Sequence, residues 1–305
     1  MKNLVFYLVL FGLVFAGCNK EPKGIVHDDG KVEIVFSAKQ TSSILKSITG
    51  TKEEDAIDRI ILFGVDASNQ VVGDTIQLVD ERLSDALSPS GIKLTIPRNV
   101  VKLYAIANPS QGLESQLDAV SNVAALKSLV EDYTVAPDPD ETTSFLLMGG
   151  NGPVINKVAT IELVRAIAKI KFVGANDFVI TSVAVAQTPD LGFVFEQNPI
   201  AVPTDTSIVA YASTTDDFVY VAENVGSFDP YAQTKFTVNG TFDSKTASYT
   251  FALTKNKVPV DIVRNTFYSV SISPVSDIEC DIFITIKPWE EGEVDEVEIP
   301  DGEFK

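Results

Sequence analysis

Val32-Glu33-Ile34-Val35-Phe36-Ser37-Ala38 alternates so that Val32, Ile34, Phe36 and Ala38 fall on one side of an extended chain. A period of two is that of a half-buried strand, whereas a helix would scatter these four side chains around its axis. The same period recurs along most of the sequence. Ile60-Ile61-Leu62-Phe63-Gly64-Val65 is a near-continuous apolar run closed by the turn former Asp66-Ala67-Ser68-Asn69-Gln70, and strands also read at Gly91 to Ile96, Val101 to Ala107 and Phe145 to Met148. One segment departs from this rule. Leu113, Leu117, Val120, Val123, Ala124, Leu126, Leu129 and Val130 recur at three- and four-residue spacing between Pro109 and Pro137, which predicts one amphipathic helix.

The strand pattern resumes at Ala159 to Leu163 and continues at Ala166 to Val173, Val179 to Ala186, Phe218 to Ala222, Lys235 to Phe242, Ser248 to Leu253, Phe267 to Ser273 and Cys280 to Ile286. Between Pro189 and Thr215 it fades into a long connection. The densest breaker cluster, Gly149-Gly150-Asn151-Gly152-Pro153, separates the two halves and sets the expected boundary at 157/158. The body of about 275 residues exceeds what one core usually serves. The expectation is therefore a mostly β protein of two tandem antiparallel β-sandwich domains of transthyretin-like, Greek-key type: residues 31–157, carrying the helix, and residues 158–305.

The amino terminus has a different character. Lys2 precedes an apolar run from Leu4 to Ala16, and Ala16-Gly17 stands before Cys18, the layout of a lipoprotein export signal over residues 1–18. The run is shorter than the ~20 residues a spanning helix needs. Cys18 would carry the lipid on its sulfur, holding the precursor at a membrane, with polar, breaker-rich residues 19–30 as a tether.

Composition narrows the chemistry. The chain has 42 acidic and 24 basic side chains, a net charge of −18 that repels nucleic-acid backbones. The single histidine, His27, lies in the tether, which argues against Ser-His-Asp, Cys-His and transition-metal sites. Asp216-Asp217 and Asp138-Pro139-Asp140-Glu141 read as solvated loops, and Cys280 as a packed strand thiol. No catalytic residue, metal or cofactor is expected.

Several short segments occur in a recognisable order: Tyr104-Ala105-Ile106-Ala107-Asn108 before the helix, Phe145-Leu146-Leu147-Met148-Gly149-Gly150 after it, then Leu163-Val164-Arg165-Ala166-Ile167-Ala168-Lys169-Ile170, Tyr220-Val221-Ala222-Glu223-Asn224, Arg264-Asn265-Thr266-Phe267-Tyr268 and Ile286-Lys287-Pro288-Trp289. In this the chain resembles the fimbrillin family, the lipoprotein precursors of type V pili of Bacteroidales. The resemblance implies a cell-surface pilus subunit that serves adhesion and polymerises by strand exchange. A trypsin-like protease cuts behind the first strand, the strand leaves, and the carboxy-terminal segment of the next subunit replaces it. Here the displaced strand would present Val32, Ile34, Phe36 and Ala38. Lys46, leaving Ser47 as the new terminus, occupies the cleavage position where the family more often has arginine; Lys52 and Arg59 are the other candidates, Arg59 disfavoured by its proximity to Ile60. The donor segment would lie in 289–305, with Val297 and Ile299 able to fill pockets.

The scheme requires an edge strand: partners on both sides of Val32 to Ala38 would mean that no slot exists, and the polymer model would fall with it. Arg165 and Lys169, inside apolar strands, read as a buried salt link or edge charges, and Tyr220, Glu223 and Asn224 as hydrogen-bonding strand closure. Two alternatives stand beside the polymerising subunit. If the acidic tail is solvated, the protein is an anchor or tip subunit; a glycan-binding surface lipoprotein would instead need exposed aromatic platforms, and the only tryptophan is Trp289. Thr75, in Asp74-Thr75-Ile76, resembles a Bacteroidales O-glycosylation site.

Overall fold

A computed structural model of the chain describes residues 31–40, 54, 56–137, 145–225, 233–255 and 257–289. The protein is mostly β, and its first sheet is built from β1 (Lys31–Gln40), β2 (Ile60–Asp66), β3 (Ile76–Leu78), β4 (Ile92–Pro97), β5 (Val100–Ala107), β7 (Met148–Pro153) and β8 (Val158–Arg165). Their order is β3-β2-β5-β7-β8-β1-β4. Strands from both ends of this order feed one core, where Leu78 and Ile60 join Phe36, Leu94 and Ile161, so the sheet rolls around its own interior. Strand β2 is buried on both faces: Ile60 and Leu62 enter that core while Ile61 and Phe63 enter a second cluster. This explains why its sequence is apolar from Ile60 to Val65.

The second cluster is capped by helices α2 (Gln111–Leu117) and α3 (Val123–Lys127), which bury Leu113, Leu117 and Leu126. The expected single helix is thus two. Asn122 breaks it, because its carboxamide oxygen accepts from Ala125 N–H at 2.9 Å and starts a new helix; Ser110 caps α2 in the same way through Leu113 N–H at 3.1 Å. The run's last residue, Val130, lies in strand β6 (Val130–Asp132). Another helix, α1 (Asp80–Leu87), escapes the periodicity because only Leu83 and Ala86 of its eight residues are buried. It packs on β1, β3 and β4.

From Ile167 onward the strands are β9 (Ile167–Gly174), β10 (Val179–Ala186), β11 (Thr188–Pro189), β12 (Leu191–Phe193), β13 (Ile208–Val209), β14 (Phe218–Ala222), β15 (Lys235–Phe242), β16 (Lys245–Ala252), β17 (Thr254–Lys255), β18 (Val258–Pro259), β19 (Thr266–Pro274) and β20 (Cys280–Pro288). Sheet β14-β9-β19-β20 packs on sheet β10-β15-β16, with Ile170, Phe172, Val270 and Ile272 meeting Val183, Phe236, Val238 and Tyr249. The two halves of the chain are tied together. Strand β12 pairs with β6, and Val194 N–H donates to Leu129 O at 3.0 Å; within the second half, Arg264 bonds Glu223 and donates to the carbonyls of Val194 and Phe193 at 2.9 and 2.7 Å.

Three expectations are corrected. The sheets are not purely antiparallel, because β1 runs parallel to β8 and β9 parallel to β19. The break at 157/158 is misplaced, because Val158–Arg165 pairs with β7 and β1 and the first sheet runs on to Arg165. The glycine cluster taken as a breaker is instead an inner strand. A Cβ on Gly150 would lie 2.1 Å from the Glu162 carbonyl oxygen, and one on Gly152 2.5 Å from that of Thr160, so glycine serves close backbone approach there and not a turn.

Candidate functional site

Strand β1 seats the side chains singled out in the sequence. Ile34, Phe36 and Ala38 are buried and Val32 is half-buried against the same core. The expectation of an edge ribbon is wrong. Lys31 to Phe36 pair antiparallel with β4, and Val35 to Gln40 pair parallel with β8, so β1 is the second strand of its sheet. Only Val35 and Phe36 have partners on both sides; the amino-terminal half leans on β4 and the carboxy-terminal half on β8.

The two-sided pairing that was expected to exclude a slot is present, but it changes the shape of the space β1 would leave. Removing an edge strand leaves one open edge, whereas removing β1 would leave a gap of about 10 Å, two strand spacings, between β8 and β4. Such a gap has hydrogen-bonding groups on both rims and an apolar floor of Leu94, Ile96, Ala159 and Ile161. It is a slot shaped for an extended chain.

The chain re-enters the described structure at Glu54, whose side chain is fully buried. Its Oε1 accepts from Lys169 Nζ at 2.8 Å and from the Tyr220 hydroxyl. An aromatic and cationic layer surrounds this carboxylate. Tyr220 stacks on Trp289 with centroids 5.9 Å apart, the Arg165 guanidinium lies 4.9 Å from the Trp289 ring, and Lys169 Nζ lies 4.6 Å from that of Phe218. Of the two cations anticipated to form a salt link, Lys169 pairs with the Glu54 carboxylate, while Arg165 Nε donates to the Glu54 backbone carbonyl at 3.5 Å.

Residues after Glu54 are fastened as well. Asn108 Nδ2 donates to Ala56 O and Asn108 Oδ1 accepts from Asp58 N–H, both at 2.9 Å. Asn108 has φ 54°, a left-handed conformation that asparagine tolerates, which gives a physical reason for its place in the Tyr104–Asn108 segment. Arg59 is ion-paired with Glu114 and donates to Pro109 O at 3.2 Å. Asn265, in the Arg264–Tyr268 segment, accepts from Arg165 Nη1 at 3.0 Å. Sequence reasoning missed Glu54, Asn108 and Asn265, and only the segment resemblance touched two of them.

Cys18, His27, Lys46, Ser47, Lys52, Val297 and Ile299 lie outside the described residues, as do Asp138 to Glu141. Asp216 and Asp217 are exposed, and Thr75 is exposed beside β3. Cys280 is half-buried in β20, where burial pushes its thiol pKa up. Trp289 is buried and offers no exposed platform. An open cleft of about 360 Å³ is lined by Arg59, Asn108, Glu131, Tyr133 and Leu146. Burial there raises the Glu131 carboxyl above its ordinary 4.5 and the Tyr133 phenol above its ordinary 10.0.

No protein-family model matches the sequence, and a search of curated proteins finds no match. Solved structures do match the fold. A Bacteroides eggerthii protein assigned to cell adhesion aligns with a TM-score of 0.58 at 13% identity, covering 84% of this chain and 96% of its own. The tip fimbrial protein Mfa3 of Porphyromonas gingivalis aligns at 0.57 and 10% identity, covering 85% and 100%. A fimbrial assembly protein of Parabacteroides distasonis aligns at 0.56 and 15% identity, covering 86% and 98%. The fold of this chain is therefore that of fimbrial and cell-adhesion proteins of Bacteroidales.

Proposed function

We propose that the protein is a structural, non-enzymatic subunit of a cell-surface pilus that serves adhesion, exported as a precursor with lipid on Cys18. Subunits join by exchanging β1 for an extended segment of a neighbour. The observation that carries this reading is the seat of β1 between β8 and β4, joined to the body through 41–53 and followed by the buried Glu54. A cut at Lys46 or Lys52 separates β1 from everything downstream, while Glu54, Asn108 and Arg59 keep the new terminus docked. Arg59 suits a protease poorly, being ion-paired and next to β2, because proteolysis favours accessible chain.

Magnitudes explain why a cut must come first. Burial of Ile34 and Phe36 contributes about 1.5–3 kcal/mol each, and each ladder hydrogen bond adds roughly 1 kcal/mol. While β1 remains tethered, its high effective concentration keeps outside strands from competing. After the cut that advantage is gone and the departing peptide is diluted, so assembly runs one way. Partners are then other pilus subunits, the outer membrane before maturation, and a trypsin-like protease.

The test is limited trypsin treatment of the protein from residue 19 onward, followed by native electrophoresis and amino-terminal sequencing. The proposal predicts multimer ladders whose subunits begin at Ser47 or Glu53. Cleavage within residues 41–53 without multimers would contradict polymerisation by strand exchange.

A further inference from the structure

Strand β20 is the outer strand of the β14-β9-β19-β20 sheet and pairs with β19 from Pro274↔Cys280 to Thr266↔Pro288 without a bulge. Trp289 N–H donates to Asn265 O, and Glu279 O accepts from Val275 N–H. Odd-numbered residues between these points therefore turn their backbone groups toward β19. Antiparallel alternation aims the N–H and C=O of Ile282, Ile284 and Ile286 out of the sheet, where no described strand receives them. Long edges are usually protected by shortness, lysine, proline or a bulge. Three other outer strands have such protection: β3 spans three residues, β4 carries Lys93 at its second position, and β10 shifts register between Ile180 and Ser182. Strand β20 has Lys287 and Pro288 only at its end; the five residues Ile282-Phe283-Ile284-Thr285-Ile286 before them hold no lysine, proline or bulge, and Phe283 and Ile286 are 39% and 42% exposed.

We infer that β20 is a self-pairing edge, through which two copies of this chain join antiparallel about a two-fold axis at Ile284. In this register Ile284 faces its own copy, Ile282 faces Ile286, Phe283 faces Thr285 and Asp281 faces Lys287. The isoleucine pairs are those whose backbones point outward, so each can exchange two hydrogen bonds across the axis. Asp281 and Lys287 are the only charged residues of β20, and they stand equally far from Ile284 on opposite sides. They meet at non-hydrogen-bonded positions, where side chains approach closest, and symmetry makes the attraction twice. Charge selects this occupant over an acidic one: a segment such as Glu290-Glu291-Gly292-Glu293 would set like charge against Asp281.

Sedimentation equilibrium of the uncleaved chain from residue 19 tests the interface apart from strand exchange, since no protease is present. A concentration-dependent monomer–dimer equilibrium is expected. Asp281→Lys alone, or Lys287→Asp alone, should weaken the dimer by about tenfold by turning two symmetric attractions into repulsions. The double variant should restore it, with circular dichroism unchanged throughout. A chain that stays monomeric at all concentrations, or a double variant no better than either single one, would overturn the inference. So would a monomer that dimerises only when residues 290–305 are deleted, because the tail would then cover the edge.

Discussion

Lys169→Met keeps the apolar stem of the side chain and deletes the ammonium that lies 2.8 Å from Glu54. The partners' side chains are 5% and 0% exposed, so water cannot replace the lost charge. Removing one member of a buried ion pair costs about 3–5 kcal/mol, mostly because the remaining charge is left unpaired in a poorly solvated place. The cation–π contact with Phe218 adds about 0.5–2 kcal/mol. With a urea dependence of about 3 kcal/mol per molar, the unfolding midpoint should fall by about 1 M or more. Trp289 is the only tryptophan and stacks on Tyr220 in the same cluster, so its fluorescence reports the local transition. Glu54→Gln removes the orphaned charge, and the double variant should recover most of the loss, a coupling of at least about 2 kcal/mol. A loss below about 1 kcal/mol in Lys169→Met, or strictly additive variants, would refute Glu54 as the anchor of the chain that follows residues 41–53.

Phe36→Ala should lower stability by about 3–5 kcal/mol, as expected for a fully buried aromatic, and after cleavage within 41–53 should speed release of the amino-terminal peptide by more than about a hundredfold. Competition with labelled peptide 31–40 measures that rate; an unchanged rate would mean β1 is not what holds the peptide. Glu131→Gln probes a pH dependence of definite sign. Because burial raises the folded-state value above 4.5, the native carboxyl's contribution is fully present below that pH and is lost as pH rises through the raised value. The variant should therefore melt higher than the native protein near pH 7, with the advantage shrinking below about 4.5. Calorimetry at both pH values checks it, and an advantage only in acid would reverse the assignment.

How far the fold could be read depended on the range of the forces involved. The period-two runs at Val32 to Ala38, Phe218 to Ala222 and Lys235 to Phe242 all fall in strands, because alternation is a local consequence of having one buried face. The Gly149–Pro153 segment misled because glycine looks alike whether it permits a turn or admits a neighbouring backbone. Only the distances to the Glu162 and Thr160 carbonyls separate the two uses. Strand order was out of reach: nothing local in Val32 to Ala38 states whether one neighbour or two will pair with it. The cationic half of the anchor was legible, since Arg165 and Lys169 interrupt apolar strands. Its acid was not, because Glu54 lies far away in sequence and resembles any other acidic loop residue.

The central claim is that β1 must leave its seat between β8 and β4 before subunits can join. Ser37 and Thr160 are register partners on β1 and β8, with hydroxyl oxygens 3.2 Å apart, so Ser37→Cys with Thr160→Cys in a Cys280→Ser background can lock the strand in place. The direct measurement is native electrophoresis of this variant after cleavage within residues 41–53, with and without reductant. The account predicts monomers under oxidising conditions and multimers once the disulfide is reduced. Multimers forming equally well with β1 locked would contradict it.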